Sequence, residues 1–473
     1  MVLAACGGGG ADDPTTPGAG ADETSDVTEA PEPGTDTETE ATEPGTDETT
    51  EEAGGEAPAG CDAFADYGTF DGAQVTILSS IRDVEADQLD ESWAEFEECT
   101  GIDIQHNGIG EFESQVVLQA QGGNAPDLAV FPQPGLLNRM VDEGYIIPAP
   151  AEVEANVDSG WSEDWKAYGT VDGTFYAAPL MSSVKSFVWY SPSMFAEGGY
   201  EVPTTLDEMM ALTEQIATDT ADDGVVKPWC AGIESGGATG WPATDWIEDF
   251  VLRTAGPEAY DQWVSHEIPF NDPQIVEAIE AVGAYLTNED FVNGGIGDSR
   301  SIATTSFNDG GLPILDGNCY MYRMASFYEA QWPEGTNVAE DGDVFAFGLP
   351  GETAGETPLL TGGEFVGAFN DRDETQAVQA YLASEHWANS RVTVGGVSSA
   401  NLGVDLDNAS SPILRLSMEL LQDEGATVRF DGSDLMPSEV GAGEFWVQMT
   451  NWIDGQVDAQ GAADAIEAAW PSN

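Results

Sequence analysis

The chain has few basic residues for its length. Among 473 residues, 12 Lys and Arg stand against 87 Asp and Glu, and the formal net charge is −75. A surface of this charge has no basic patch that could replace the counterions of phosphate groups, so nucleic acid is excluded as a partner. The acidity also indicates, as a hypothesis, adaptation to high salt, where screening relieves the repulsion between like charges.

Long apolar runs and the common catalytic motifs are also missing. No run of about 18 or more apolar residues occurs, so no segment is predicted to span a bilayer. The three histidines, His106, His266 and His386, are not paired at ligand spacing, and neither a Gly-Lys dipeptide nor a G-x-S-x-G motif is present. We therefore predict no cofactor and no metal. The paired carboxylates of a glycosidase stay open, because their separation in space is not visible in sequence.

The region before residue 61 is composed unlike the rest of the chain. Residues 11–60 hold 16 Asp and Glu, no Lys or Arg and no aromatic residue. Such a segment cannot bury enough apolar surface to offset the entropy lost on ordering. We predict that residues 7–60 form a disordered acidic linker.

A short motif precedes this linker. Leu3-Ala4-Ala5-Cys6 resembles the bacterial lipobox, in which the cysteine becomes the acylated amino terminus. Residues 1–6 are then the remnant of a lipoprotein signal, and Cys6 is the predicted lipidation site. Only two residues precede the motif, so the charged and apolar regions of a signal peptide are missing, which favours a start further upstream or a trimmed sequence. The prediction is a lipid anchor on the extracellular face of the bacterial cytoplasmic membrane.

If Cys6 carries lipid, the other four cysteines form an even set, which is typical of an oxidising compartment. They are Cys61, Cys99, Cys230 and Cys319. Four cysteines allow three connectivities, and the alternative is a set of buried free thiols.

Apolar patterns predict three successive strand–helix units after residue 73. The predicted strands are 74–78, 102–105 and 128–131, and the predicted helices are 83–99, 111–120 and 136–143. Such a succession implies a parallel sheet with right-handed crossovers, in a doubly wound α/β architecture.

The third predicted strand also suggests where a ligand binds. Pro132 and Pro134 forbid continuation of the apolar run that ends at Phe131. Ligands of open α/β sheets lie beyond the carboxyl ends of the strands, so we expect Phe131 and Gln133 at the mouth of a cleft. The alternative is an ordinary strand-to-helix turn.

An ordered series of short motifs then identifies a family resemblance. The motifs are Asn124-Ala-Pro-Asp-Leu128, Gly173-Thr-Phe-Tyr-Ala-Ala-Pro179, Trp189-Tyr190, Val202-Pro-Thr-Thr205, Gly240-Trp-Pro-Ala-Thr-Asp-Trp246 and Gly443-Glu-Phe-Trp446. From about residue 72 to the end, the chain resembles the family 1 extracellular solute-binding proteins of ABC sugar importers, relatives of the maltose-binding protein. The resemblance is closer to the alpha-glucoside-binding branch.

The resemblance implies a two-lobed fold of the type II periplasmic binding proteins, each lobe a mostly parallel sheet flanked by helices. Lobe one would comprise 61–183 plus 360–418, and lobe two 184–359 plus 419–473. Hinge strands would lie near 182–186 and 362–365. The pairs Cys61–Cys99 and Cys230–Cys319 are favoured because each then lies within one lobe.

The ligand contacts of the family carry over only in part. Trp446 falls where the maltose-binding relatives stack a sugar ring on Trp, but Val447 replaces the adjacent Tyr. Phe131 occupies the position of a lobe-one Trp, while Gln133 and Pro134 replace an acidic–basic pair. Maltose itself is therefore not the expected ligand. The predicted ligand-binding residues are Arg82, Phe131, Gln133, Ser183, Lys185, Glu234, Trp241, Asp245, Arg323, Phe327, Glu364, Asp434 and Trp446.

The residue types agree with a carbohydrate site. Sugars present apolar C–H faces and hydroxyl edges, which aromatic rings and polar side chains recognise together. Trp241, Asp245 and Trp246 supply both kinds of contact. The alternative is that Trp241, Trp246 and Trp446 belong to the core, and that Lys185 and Arg323 only form salt bridges.

These observations predict a monomeric, lipid-anchored binding protein that captures a neutral oligosaccharide, an alpha-glucoside, between two lobes and delivers it to the permease subunits of an ABC importer. No catalysis is implied. Two other functions stay open. One is capture of a polyamine or peptide, which the negative field favours. The other is a surface glycosidase or lectin.

Overall fold

The computed structural model describes residues 60–423 and 425–471. Cys6 and the linker predicted over 7–60 lie outside these residues, except Gly60. The described strands are β1 (Gln74–Ser79), β2 (Asp103–Gly108), β3 (Leu128–Phe131), β4 (Thr170–Val171), β5 (Thr174–Phe175), β6 (Ala177–Val184), β7 (Phe187–Tyr190), β8 (Lys227–Cys230), β9 (Cys319–Arg323), β10 (Phe345–Gly348), β11 (Pro358–Ala368) and β12 (Thr427–Phe430).

Helices connect and cover these strands. They are α1 (Asp83–Ser92), α2 (Ala94–Thr100), α3 (Phe112–Gln121), α4 (Pro134–Asp142), α5 (Ala151–Gly160), α6 (Glu163–Tyr168), α7 (Pro192–Gly198), α8 (Leu206–Asp219), α9 (Trp241–Thr254), α10 (Pro257–Val264), α11 (Pro273–Leu286), α12 (Phe307–Gly310), α13 (Asp373–Leu382), α14 (Glu385–Val394), α15 (Pro412–Leu421), α16 (Gly432–Leu435), α17 (Trp446–Ile453) and α18 (Ala459–Ala469). A π-helical turn, Val440–Phe445, precedes α17.

The first sheet confirms the three strand–helix units. Strand β1 pairs in parallel with β2 and β3, and β11 then joins β3 in antiparallel orientation and β12 in parallel orientation. Strand β6 pairs with β11 along 177–184. One predicted helix, 83–99, is instead two, because the chain leaves helical geometry at Trp93.

The second sheet differs from the predicted mostly parallel arrangement. Its strand order is β10-β7-β9-β8, and only β8 and β9 pair in parallel. Strand β7 is antiparallel to both of its neighbours. The reason is that β7 follows β6 almost directly and enters the second sheet from the first without a crossover helix, so its direction relative to β9 is reversed.

Buried apolar residues separate into a core around each sheet, and we call the two bodies lobe one and lobe two. The core of lobe one joins residues 61–181 with 365–400. The domain boundaries remain a prediction, and several core residues depart from them. Phe430, at the end of β12, packs in lobe one because β12 pairs with β11, whereas Ile413 of α15 packs beside Trp189 in lobe two.

Both predicted disulfides are present. Cys61 bonds to Cys99 with a Cα–Cα distance of 5.4 Å, and Cys230 bonds to Cys319 with a distance of 5.7 Å. The first lies in the core of lobe one and the second in that of lobe two. Each therefore stabilises a single lobe, and neither disulfide links the two lobes.

The lobes approach each other closely where α4 begins. Strand β3 is buried along its whole length, and Pro134 starts the helix directly after the N-cap Gln133. A Cβ added at Gly135 would lie 2.0 Å from the carbonyl oxygen of Met436, which belongs to lobe two. Only glycine allows this contact between the backbones.

A buried ionic network lies where the chain passes between the sheets. We use this name for Lys185, Asp245, Asp249, Arg253, Arg323 and Asp431. Lys185 Nζ lies 3.1 Å from Asp245 Oδ1 and also contacts Asp431. Arg323 bridges two carboxylates of α9, with Nη1 2.9 Å from Asp245 Oδ2 and Nη2 2.5 Å from Asp249 Oδ2.

The buried environment shifts the pKa values of two network carboxylates in opposite directions. Burial raises the pKa of Asp245 to about 6, although Lys185 and Arg323 act against this shift. For Asp431 burial is outweighed by Lys185, which lowers the pKa to about 2. Ion pairs of this kind join elements in one geometry because an unpaired charge in the interior is costly.

We predict that Arg323→Leu strongly destabilises the fold, by about 3–5 kcal/mol, because it leaves the buried carboxylates of Asp245 and Asp249 with one cationic partner each, Lys185 and Arg253. Urea unfolding followed by tryptophan fluorescence measures the change. Arg415→Leu is the matched control, since Arg415 forms exposed ion pairs, and its effect is expected within about 0.5 kcal/mol. Equal midpoints for the two variants would contradict the assignment.

Candidate functional site

A cavity of about 180 Å³ opens between the two lobes. Lobe one contributes the end of β1, the β3–α4 turn and the middle of β11, while lobe two contributes the start of α9, the start of α17 and residues near α12. The carboxyl end of β3 thus reaches this cavity, where the apolar run and its prolines predicted a cleft.

Nine of the predicted ligand-binding residues line this cavity. They are Arg82, Gln133, Ser183, Lys185, Trp241, Phe327, Glu364, Asp434 and Trp446. They come from separate parts of the sequence and from both lobes, and only the fold brings them together. Their role in binding remains a prediction.

Two other predicted residues serve the fold and do not line the cavity. Phe131 is fully buried in lobe one, where its ring packs edge-on against Phe112 at 5.7 Å, so its prediction at the cleft mouth is wrong. The side chain points into the core because strand residues alternate between faces, and the cleft begins one residue later at Pro132. Glu234 accepts a hydrogen bond from the backbone N–H of Gly236 at 2.8 Å and shapes the turn before α9.

Asp245 and Arg323 also lie away from the cavity surface. Their side chains are fully buried and paired with each other in the ionic network. The alternative that Arg323 forms a salt bridge is confirmed, whereas Lys185 belongs both to the network and to the cavity wall. Asp245 therefore acts through Lys185, which it holds in place.

An aromatic cluster forms the wall of the cavity on lobe two. The half-buried ring of Trp241 lies 5.1 Å from that of Phe307 and 6.0 Å from that of Phe327. Lys185 Nζ lies 5.4 Å from the Trp241 ring, within range of a cation–π contact. Trp246, by contrast, packs edge-on against Trp229 in the core, as the alternative for that residue predicted.

Trp446 is buried but borders the cavity. Its neighbours Phe445, Met449 and Trp452 pack in the core of lobe two. Gly240 adopts φ +116°, and a Cβ there would lie 2.2 Å from the Trp446 carbonyl oxygen. Glycine at this position thus lets the start of α9 approach the start of α17, and this contact brings Trp241 and Trp446 to the same cavity.

Several buried polar atoms at the cavity have no hydrogen-bond partner within the described chain. They are Gln133 Oε1, Ser182 Oγ, Trp446 Nε1 and both Nε and Nη2 of Arg391. Buried polar groups in native proteins are normally paired, because an unpaired one costs about 1–3 kcal/mol. The set includes donors and acceptors, which fits a ligand that both accepts and donates hydrogen bonds.

The sequence reasoning missed important lining residues. These are Ser182, Glu85, Glu113, Phe307 and Arg391. The scarcity of basic residues drew attention to Lys185 and Arg323, and the same argument applied to every Arg would have included Arg391. The others stand in no recognisable motif, so no signal in the sequence pointed to them.

The carboxyl groups at the cavity titrate above their ordinary range. Burial, followed by repulsion from Glu364, raises the pKa of Glu85 to about 7. Burial raises that of Glu364 to about 7 as well, although Arg391 opposes the shift. Burial also raises the pKa of Asp434 well above its usual value and that of Glu113 above its usual value.

No metal-binding cluster occurs in the described part of the chain, since no three His, Cys, Asp or Glu side chains there are arranged to hold an ion. Nor is any helix within residues 60–423 and 425–471 both long and apolar enough to cross a membrane.

Two characterised proteins are similar to the chain over most of their length. The osmoprotective compounds-binding protein GgtB of Synechocystis sp. is 38% identical over 412 residues, which cover 85% of this chain and 94% of GgtB. The alpha-glucosides-binding periplasmic protein AglE of Rhizobium meliloti is 38% identical over 416 residues, which cover 85% of this chain and 88% of AglE.

Solved structures show the same fold at low identity. A chitin oligosaccharide binding protein matches with a TM-score of 0.70 and 16% identity, covering 84% of this chain and 98% of its own. Maltose-bound MalE3 of T. maritima matches with a TM-score of 0.65 and 15% identity, with coverages of 84% and 98%. The predicted two-lobed, type II periplasmic-binding-protein fold is thereby confirmed.

A family model places the chain more directly. The model described as bacterial extracellular solute-binding protein matches residues 82–385, which include four of the six strands of the first sheet, the hinge region and most of lobe two. Its members bind solutes and are not enzymes. Because the family model and two relatives agree over most of the chain, this protein belongs to the bacterial extracellular solute-binding proteins.

Proposed function

We propose that the protein is a lipid-anchored substrate-binding protein of an ABC importer that captures a neutral alpha-glucoside by closure of its two lobes. The observation that carries this proposal is the interlobe cavity, which combines aromatic rings with buried, unpartnered hydrogen-bonding atoms. The proposal covers capture only, and transport belongs to the permease subunits.

The chemistry of the cavity favours a sugar. The rings of Trp241, Phe307 and Phe327 offer apolar faces to pyranose C–H groups. The unpaired atoms of Gln133, Trp446 and Arg391 offer one acceptor and three donors, and hydroxyl groups satisfy both kinds. The name of AglE refers to alpha-glucosides, and it supports a hydroxylated ligand.

The charge of the cavity argues against a strongly cationic ligand. The net charge of the chain favours cations at long range. At the cavity, however, Arg82, Lys185 and Arg391 stand among the acidic side chains, and burial raises the pKa of Glu85 and Glu364 to about 7, so these carboxyl groups are only partly ionised near neutral pH. A polyamine would therefore meet the positive charges of Arg82 and Arg391, while Lys185 is already paired with Asp245 and Asp431.

Closure follows from the position of the ligand groups. Trp241 and Trp446 belong to lobe two, whereas Gln133, Glu364 and Arg391 belong to lobe one. A ligand contacts both sets only when the lobes meet, so its binding energy shifts the hinge equilibrium toward the closed form. We expect β6 and β11, which pair antiparallel, to act as the hinge strands.

We predict that Trp241→Ala and Trp446→Ala each weaken sugar binding by at least about tenfold, because each removes an aromatic surface or a buried N–H donor. Isothermal titration with maltose, trehalose, sucrose and spermidine measures the effect. Trp470→Ala is the matched control, since Trp470 stacks on His266 and does not line the cavity. Tight binding of spermidine with no sugar bound would replace the proposal by the polyamine alternative.

Closure gives a second prediction. Gly135→Ala should weaken sugar binding by about tenfold or more without removing a ligand contact, because the added Cβ meets the Met436 carbonyl and disfavours the closed form. Small-angle scattering with and without the sugar should show less compaction than in the wild type. Gly348→Ala is the control, since a Cβ at Gly348 meets no atom within 4 Å. Full compaction of the Gly135 variant would contradict the expectation.

The lipid anchor is tested separately. We expect the full chain, expressed behind a lipoprotein signal peptide in a bacterium, to incorporate labelled palmitate and to fractionate with the membrane. Cys6→Ser should abolish labelling and release the protein, because Cys6 is the proposed acylated residue. Cys6 is not among the four disulfide cysteines, so both forms should unfold at the same temperature. Labelling that persists in Cys6→Ser would exclude this site.

A further inference from the structure

Arg391 is the one arginine at the cavity whose side chain is almost fully enclosed, with 1% of its surface exposed. It stands near the end of α14, and its Nη1 donates to the Gly395 carbonyl at 2.5 Å. That bond fixes the guanidinium plane. The remaining edge, Nε and Nη2, has no protein partner within the described residues.

This free edge has a defined recognition geometry. Nε–H and Nη2–H of a guanidinium are parallel donors, and they match two acceptor oxygens held side by side. Either a carboxylate or two hydroxyls on adjacent carbons present oxygens in this way. The surroundings of Arg391 distinguish between these two possibilities.

Two carboxyl groups line the same cavity as the guanidinium. Glu364 stands on β11 at a register irregularity next to Phe365, which redirects the strand there, and Glu85 stands in the first turn of α1. Each lies near enough to alter the pKa of Arg391, which burial lowers to about 10. Within the described chain, however, neither forms a salt bridge with Arg391 at 4.0 Å or less.

We infer that Arg391, Glu364 and Glu85 form a subsite that binds two adjacent hydroxyls of the glucosyl unit. Both hydroxyl oxygens accept hydrogen bonds from Arg391, one from Nε–H and the other from Nη2–H. The O–H of each hydroxyl then donates a hydrogen bond to the carboxyl group of Glu364 or Glu85. This inference rests on the proposed function and deepens it by naming the pair of adjacent ligand hydroxyls that lobe one binds.

The subsite discriminates against an acidic sugar. A ligand carboxylate would satisfy the arginine edge but would bring a further negative charge to Glu85 and Glu364, two carboxyl groups that already repel each other, with one guanidinium to balance them. Adjacent hydroxyls bring no charge and supply the protons that the carboxylates accept. Neutral glucosides should therefore bind more tightly than the corresponding glucuronides.

The ligand side of the inference is tested on the wild-type protein, so that no variant has to fold. The probe is trehalose, maltose or sucrose, whichever binds most tightly, together with its 2-, 3-, 4- and 6-deoxy glucosyl forms and its glucuronide. Titration calorimetry should show that two deoxy forms, lacking hydroxyls on adjacent carbons, bind on the order of tenfold or more weakly. The glucuronide should also bind more weakly than the parent sugar.

The contribution of Arg391 is tested with the variant Arg391→Lys, which keeps the positive charge but lacks the two parallel N–H donors of the guanidinium. We expect the parent sugar to bind on the order of ten- to a hundredfold more weakly, and the two critical deoxy forms to bind this variant about as well as the parent does. Arg415→Lys is the matched control on an exposed ion pair and should bind like the wild type. If Arg391→Lys does not fold, the deoxy series alone decides.

The possible failures are distinguishable. Absence of binding by maltose, trehalose and sucrose to the wild type overturns the proposed function, and the subsite with it. Sugar binding with no adjacent pair of critical hydroxyls, or with the glucuronide bound more tightly than the parent, overturns the subsite alone. So does an Arg391→Lys variant that is folded and binds the parent sugar with wild-type affinity.

Discussion

The geometry of the site depends on the buried ionic network in which Lys185 and Arg323 share the carboxylates of α9. Lys185 lies on the segment that leaves the first sheet, Asp245 and Asp249 lie on α9, and Asp431 follows β12. Charges in the interior tolerate little displacement, since losing a partner exposes the full desolvation cost. The network therefore holds Lys185 against the cavity and fixes the start of α9, from which Trp241 projects.

Close backbone contacts complete this arrangement. Gly135 lets lobe one reach the Met436 carbonyl, and Gly240 lets α9 reach the Trp446 carbonyl. Neither contact leaves room for a Cβ atom at the glycine. The shape of the cavity therefore depends on backbone packing as well as on the side chains that line it. The polar atoms that remain unpaired within the described chain, such as Nε of Arg391, belong to residues that line this cavity.

Most of the fold of lobe one could be predicted from the sequence, because the strands that local apolar runs indicate are the strands that pair in the sheet. The run Leu128–Phe131 is apolar throughout, as a strand flanked by two others requires, and the prolines after it stop the strand. Lobe two was less readable. Strand β7 is antiparallel because the chain crosses directly from one sheet to the other. Its apolar pattern predicts a buried strand but does not show whether that strand runs parallel or antiparallel to its neighbours.

The sequence by itself determined the acidic character, the strand–helix units of lobe one, and the presence of tryptophans beside polar residues at Gly240–Trp246. Tertiary structure alone decided which of these side chains meet. The side chains of Phe131 and Trp246 pack in the cores, and Arg323 forms ion pairs with buried carboxylates. Arg391 lines the cavity, although its helix carries no recognisable motif. The physical reason is that burial and pairing depend on neighbours distant in sequence, whereas local patterns report only which residues can be buried or paired.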